Sequence, residues 1–157
     1  MPTWPRAGFV VAFVALALAG HAADPVDPAR AVFATYVARS LAFDASLADL
    51  YADGAVIENQ RTYPNGTVRR LTIPAAHYKA LIRQAMPLAR QRGDINRFTD
   101  VRFTPEGSRV RIEITRYSEL KRYTSPLVLV VGPQAGGRWL ILEERSESRV
   151  EPDKPNR

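Results

Sequence analysis

The chain has 157 residues, 22 Lys and Arg against 16 Asp and Glu, a formal charge of +6, and no cysteine. The missing thiols exclude a disulfide framework and an anchor through a lipidated N-terminal cysteine, so packing alone must hold the fold. The basic excess is almost wholly arginine, but it is interleaved with Asp and Glu and forms no stripe along the sequence, so no nucleic-acid partner is expected.

The first 23 residues follow the order of an export signal. Arg6 supplies a positive start, residues 7–19 are an unbroken run of apolar and small side chains, and Gly20-His21-Ala22-Ala23 offers small residues ahead of Asp24 and Pro25. At about 1.5 Å per residue the run reaches roughly 20 Å, short of the ~30 Å hydrocarbon core of a bilayer. The pattern predicts a cleavable signal peptide over 1–23, one domain over 24–150, and a charged, proline-containing tail over 151–157 that is expected to be disordered. The working protein is then expected to be periplasmic or secreted, with no membrane span after cleavage. Cleavage leaves His77 as the single histidine. With no cysteine and no carboxylate cluster at ligand spacing, neither a metal centre nor a cofactor is expected.

Residues 29–43 read as a helix with Phe33, Val37 and Leu41 on one face and Tyr36 and Ser40 beside them. Asp44 is a natural N-cap for a short second helix over 45–52 that closes at Asp53-Gly54. Residues 55–61 and 67–73 read as a hairpin about the turn Tyr63-Pro64-Asn65-Gly66. Pro74 starts a third helix. Its stripe is Tyr78, Leu81, Ile82, Ala85, Met86 and Ala89, and Pro87 is expected to kink or end it. Strands follow at 95–103, 109–120, 124–131 and 138–148, with turns at Thr104-Pro105-Glu106-Gly107 and in the Gly-rich approach to Gly137. Helices first and long strands last predict an α+β fold, a curved antiparallel sheet wrapped around about three N-terminal helices.

That order, together with Leu47-Ala48-Asp49-Leu50-Tyr51-Ala52-Asp53-Gly54-Ala55-Val56-Ile57-Glu58, resembles the nuclear transport factor 2-like superfamily, which has SnoaL-like and ketosteroid isomerase-like members. The shared feature is a short helix that ends in Tyr-Ala-Asp and runs straight into a strand, and the resemblance spans about residues 28–148. It implies a cone-shaped domain, a bent sheet closed by helices with a pocket opening at one end. It implies no single activity, because the superfamily holds isomerases, dehydratases, epoxide hydrolases, transport adaptors and binding modules. Alignment with the ketosteroid isomerases on the Tyr-Ala-Asp segment puts Tyr36 at or beside their oxyanion tyrosine. Their base position falls on Asn59, an amide that takes up no proton at neutral pH, and their oxyanion acid falls on Leu129. That reaction is therefore not expected.

The same alignment turns three rows into the cone: Val110, Ile112, Ile114 and Arg116; Leu127, Leu129 and Val131; and Leu140, Leu142 and Glu144. Period-two alternation gives the first row independently. The candidate ligand-binding residues are Tyr36, Asn59, Arg116, Glu144 and His77. Arg116 breaks an apolar row: it either clamps a carboxylate or phosphate, or it reaches water at the mouth and pairs with Glu144 or Glu119. Tyr36 is a pocket hydroxyl or a core tyrosine, and His77 a proton shuttle or a surface residue. Arg111-Ile112-Glu113 is similar to the arginine and acid of the superfamily's epoxide hydrolases. Alternation places both charges on the outer face, where with Tyr117 they would form a salt ladder or a homodimer contact. The expectation is an exported, non-catalytic domain that binds a small, partly apolar ligand or an envelope protein. The alternative is an isomerase, dehydratase or hydrolase of the same fold with His77 or Glu144 as base.

Overall fold

The computed structural model describes residues 24–150, so the expected signal peptide and tail lie outside the described residues. In chain order come α1 (Val26–Leu41), a 3₁₀ segment (Ala45–Leu50), β1 (Tyr51–Thr62), β2 (Val68–Pro74), α2 (Ala75–Arg92), β3 (Asn96–Glu106), β4 (Arg109–Ser118), β5 (Tyr123–Pro133), one 3₁₀ turn (Ala135–Gly137) and β6 (Trp139–Arg149). This is the α+β architecture expected from the element order. Among the described residues no helix is long and apolar enough to cross a membrane.

Local chemistry sets the boundaries. The Asp44 side chain accepts from the Ser46 backbone N–H at 2.8 Å and caps the 3₁₀ segment; that bond holds its carboxyl below the ordinary aspartate value. Gly66, at φ +81°, completes the turn from β1 to β2, its N–H bonded to the Tyr63 carbonyl at 2.9 Å. Gly93 ends α2 in the left-handed region at φ +62°. The expected turn at 104–107 is shorter than the sequence suggests, since β3 continues to Glu106.

α2 runs through Pro87 to Arg92 instead of stopping there. Pro87 and Arg83 are both exposed, so the carbonyl that loses its helical partner faces water, while Ile82 and Met86 hold the helix to the core. The packed stripe is narrower than expected: Leu81 and Ala85 are exposed, leaving Tyr78, Ile82, Met86 and Ala89. Pro87→Ala restores the missing donor and should raise the urea midpoint, with a gain of up to about 3 kcal/mol. A midpoint that stays put would show that the helix has already adjusted around the proline.

The six strands form one sheet in the order β2-β1-β6-β5-β4-β3. β3 to β6 are an antiparallel meander and β1–β2 an antiparallel hairpin, but β1 and β6 pair in parallel, so the sheet is mixed. Irregularities in the ladders bend it: one in β3 around Asp100 (φ +53°), one in β1 between Tyr51 and Val56, and one where Val130 and Val131 meet β6. The sheet curves without closing and leaves β2 and β3 as edges.

Val110, Ile112 and Ile114 of β4, as alternation predicts, and Leu127, Leu129 and Val131 of β5, as the resemblance implies, are buried on the inner face. On β6 the expectation needs correcting. Ile141, Glu144 and Ser146 are the buried residues, while Leu140 and Leu142 are only half-buried, because the irregularity opposite Val130 and Val131 shifts the alternation. Gly132 lets Leu142 lie close: a Cβ there would stand 2.9 Å from Leu142 Cδ1. Against the inner face pack Ala29, Val32, Phe33 and Tyr36 of α1, Leu47, Ala48 and Leu50 of the 3₁₀ segment, and Ile82 of α2.

Candidate functional site

Glu144 is the one charged side chain buried among the described residues, at 1% exposure. A carboxylate removed from water is costly unless donors meet it. Two tyrosines do so. The Tyr51 hydroxyl donates to Oε2, and the Tyr78 hydroxyl to Oε1 at 2.7 Å. Their rings meet edge to face with centroids 5.3 Å apart. Tyr36 completes the cluster through the Tyr51 hydroxyl, and its ring lies edge to face with Phe98 at 5.7 Å. Burial pushes all three phenols up from the ordinary tyrosine value, and the Glu144 charge adds to this by opposing a phenolate beside it; at Tyr36 the Arg116 charge pulls the other way. Each Glu144 oxygen thus accepts one phenol hydroxyl.

Towards the far ends of β1 and β6 the inner face turns polar. Register puts Ile57 beside Glu144, Asn59 beside Ser146 and Arg61 beside Ser148. Across the sheet, Ile112–Leu129 and Ile114–Leu127 are followed by Arg116–Ser125. The Asn59 amide donates to Ser146 Oγ at 3.0 Å and accepts from Ser148 Oγ at 2.9 Å. Arg116 is half-buried: Nε and Nη2 donate to Ser125 Oγ at 3.2 and 3.1 Å, and Nη2 to the Glu147 carbonyl at 2.7 Å. The expected pairing with Glu144 or Glu119 does not occur, because Glu144 is held by tyrosines and Glu119 by Arg97. Among the described residues Arg116 meets only neutral partners.

Of the five candidates, Tyr36 and Glu144 fall in one cluster, and Asn59 and Arg116 lie farther along the same face. His77 is exposed on the first turn of α2 and takes no part. Nothing in the sequence alone names Tyr51 and Tyr78 as partners of Glu144. The signal that could have found them is a lone carboxylate on an apolar row, which needs donors that tyrosines can carry into a core.

The outer face is different in kind. Arg111 lies there, bonded to Glu106 at 2.6 Å, and Glu113 is exposed, so this pair does not face the cone. Arg109 and Arg145 both meet Glu143, and Arg145 also Glu58. A cleft of about 230 Å³ on this face is bordered by Glu58, Arg70, Val128 and Arg145. A larger one, about 410 Å³, opens where β1 begins, between Asp53, Lys79, Arg138 and Leu140, but Asp53 is already paired with Lys79 at 2.6 Å. Among the described residues no group of three or more His, Asp or Glu side chains is placed to hold a metal ion.

By sequence, no family model and no curated protein matches the chain. By structure it matches an NTF2-like protein of unknown function from Pseudomonas putida KT2440, with a TM-score of 0.60 and 11% identity over 81% of this chain and 88% of that one. An NTF2-like protein of unknown function from Shewanella oneidensis MR-1 follows at 0.58 and 15%, over 80% of this chain and 100% of that one. The chain has the NTF2-like fold. Within that fold, a protein from Catenulispora acidiphila was solved in complex with S-DNPA; it matches with a TM-score of 0.51 and 16% identity, over 78% of this chain and 91% of that one. At such identities the NTF2-like likeness carries architecture alone.

Proposed function

We propose that this NTF2-like domain is exported and binds a small, partly apolar molecule at the polar end of its cone, without catalysing a reaction on it. The observation that carries this reading is the gradient along the inner face. On β1, β4 and β5, Ile57, Ile114 and Leu127 give way in one alternation to Asn59, Arg116 and Ser125. A surface graded in this way suits a ligand with an apolar body and one polar end. Among the described residues, the engagement of Glu144 by two phenols and the surface position of His77 support a binding role over an enzymatic one. The neighbour that holds S-DNPA supports small-molecule occupancy of the fold. Export rests on the pattern of residues 1–23. A homodimer through the outer sheet face belongs to the same proposal, with Tyr117, 37% exposed, as its apolar contact.

The test is native mass spectrometry of the full-length chain expressed in a Gram-negative host and taken from the envelope fraction. The expected spectrum has a protein mass beginning at Asp24 and a heavier peak that collapses onto it on denaturation. Retention of residues 1–23 in the cytoplasmic fraction would sink the export half. A chain that copurifies with nothing, and whose thermal midpoint no small apolar acid, amide or alcohol moves, would sink the binding half.

A further inference from the structure

The chain's arginines are scattered in sequence, yet the fold sets three of them, Arg61, Arg69 and Arg116, at the polar end of the inner face. Register sets Arg61 of β1 opposite Arg69 of β2 and beside Ser148 of β6, and Arg116 of β4 opposite Ser125 of β5. On the outer face, Arg97, Arg109, Arg111 and Arg145 each meet a glutamate. At the polar end none of the three does so among the described residues. Arg69 lies over the Tyr63 ring at 5.5 Å, and Arg116 rests on Ser125 and the Glu147 carbonyl. The nearby acids are engaged or turned aside: Glu119 holds Arg97, Asp94 accepts from Ser118 Oγ at 3.4 Å, and Glu147 alternates onto the outer face, where it is exposed.

We infer that the polar end of the ligand is a carboxylate and that Arg116 is the residue that selects it. This rests on the binding role proposed above. A guanidinium has five N–H donors. Nε and Nη2 are committed to Ser125 and Glu147, so Nη1 keeps both of its own. The two N–H groups of Nη1 diverge, so a carboxylate oxygen can accept from one of them in a single charge-assisted hydrogen bond, and partial burial weakens the water screening that would otherwise flatten the attraction. Beside the guanidinium the wall is apolar: Phe98 stands opposite Arg116 on β3 and packs edge to face with Tyr36. The ligand class is therefore an acid on an apolar body.

Isothermal titration of the full-length chain with octanoate and octanamide, probes of equal length that differ in charge, tests this. Octanoate is expected to bind at least about tenfold more tightly. Arg116→Gln should bring the ratio near one, chiefly through lost octanoate affinity. Should that variant fail to fold, the wild-type chain gives the same reading, because added salt should weaken octanoate and spare octanamide. Equal affinities in the wild type, or a ratio that survives both Arg116→Gln and salt, would overturn the carboxylate inference and leave the binding role standing. Silence from both probes, joined by silence from neutral apolar ligands, would overturn the binding role itself.

Discussion

Raising the pH past 10 should unfold this domain steeply and release three tyrosines together. Of the six tyrosines, Tyr63, Tyr117 and Tyr123 lie at or near the surface, while Tyr36, Tyr51 and Tyr78 keep their protons in the fold well above the ordinary phenol value of 10.0. The unfolded chain loses those protons near pH 10. The folded state therefore binds more protons at high pH, and stability that is complete below pH 10 drains away as the pH climbs. Each phenol contributes at most about 1.4 kcal/mol per pH unit, so three acting together give about 4. Against a total stability of about 5–15 kcal/mol, a few pH units suffice. Phenolate absorbance followed beside far-UV circular dichroism should show an early reversible phase from the surface tyrosines. A later phase should coincide with loss of secondary structure. Six tyrosines titrating in one phase with the circular dichroism intact would show that the cluster is open to water.

Glu144→Leu should cost about 2–6 kcal/mol, although leucine fills much of the space and removes a buried charge. The loss comes from the partners: the Tyr51 and Tyr78 hydroxyls would be left as buried donors, each carrying a penalty of about 1–3 kcal/mol. Glu144→Gln should be milder, because an amide can accept from one phenol and donate to the other. The diagnostic variant combines Glu144→Leu with Tyr51→Phe and Tyr78→Phe. With every polar member gone, most of the loss should return. Urea unfolding reads all three through their midpoints at constant slope. A triple variant no more stable than Glu144→Leu alone would assign the loss to packing, and the hydrogen-bonded cluster would not be what holds this part of the core.

The legible part of the fold was its repetition. Alternation on β4 marked Val110, Ile112 and Ile114 as buried before any pairing was known, and the run from Leu47 to Glu58 indicated a short helix turning into the first strand. Alternation failed on β6 for a definite reason. It assumes an unbroken ladder, and the irregularity opposite Val130 and Val131 exchanges Leu142 for Ile141 on the inner face. Pro87 misled because local propensity takes no account of Ile82 and Met86 anchoring the helix on the core side. The site was half visible. Arg116 and Glu144 stood out as charges on apolar rows, but their partners lie on other strands and helices. Asn59 and Ser146, for instance, touch across 87 positions of sequence. The placing of Arg61, Arg69 and Arg116 at one end of one face is likewise a product of register, which a single sequence does not display.

The parallel pairing of β1 with β6 bears on when this protein becomes itself. Every other strand pair in the sheet joins neighbours in sequence or strands separated only by a short turn, so the β1–β2 hairpin and the β3–β6 meander are each local pieces. Only the β1–β6 seam spans nearly the whole domain, and closing so long a loop is the slow kind of step in assembly. The side-chain hydrogen bonds that cross the seam are those of the candidate site: Tyr51 to Glu144, and Asn59 to Ser146 and Ser148. The candidate site and the closing of this seam are thus one event, and it cannot occur until the last strand has been delivered. In the exported chain proposed here, that timing keeps the polypeptide open while it is being threaded across the membrane and lets the cone close on the far side.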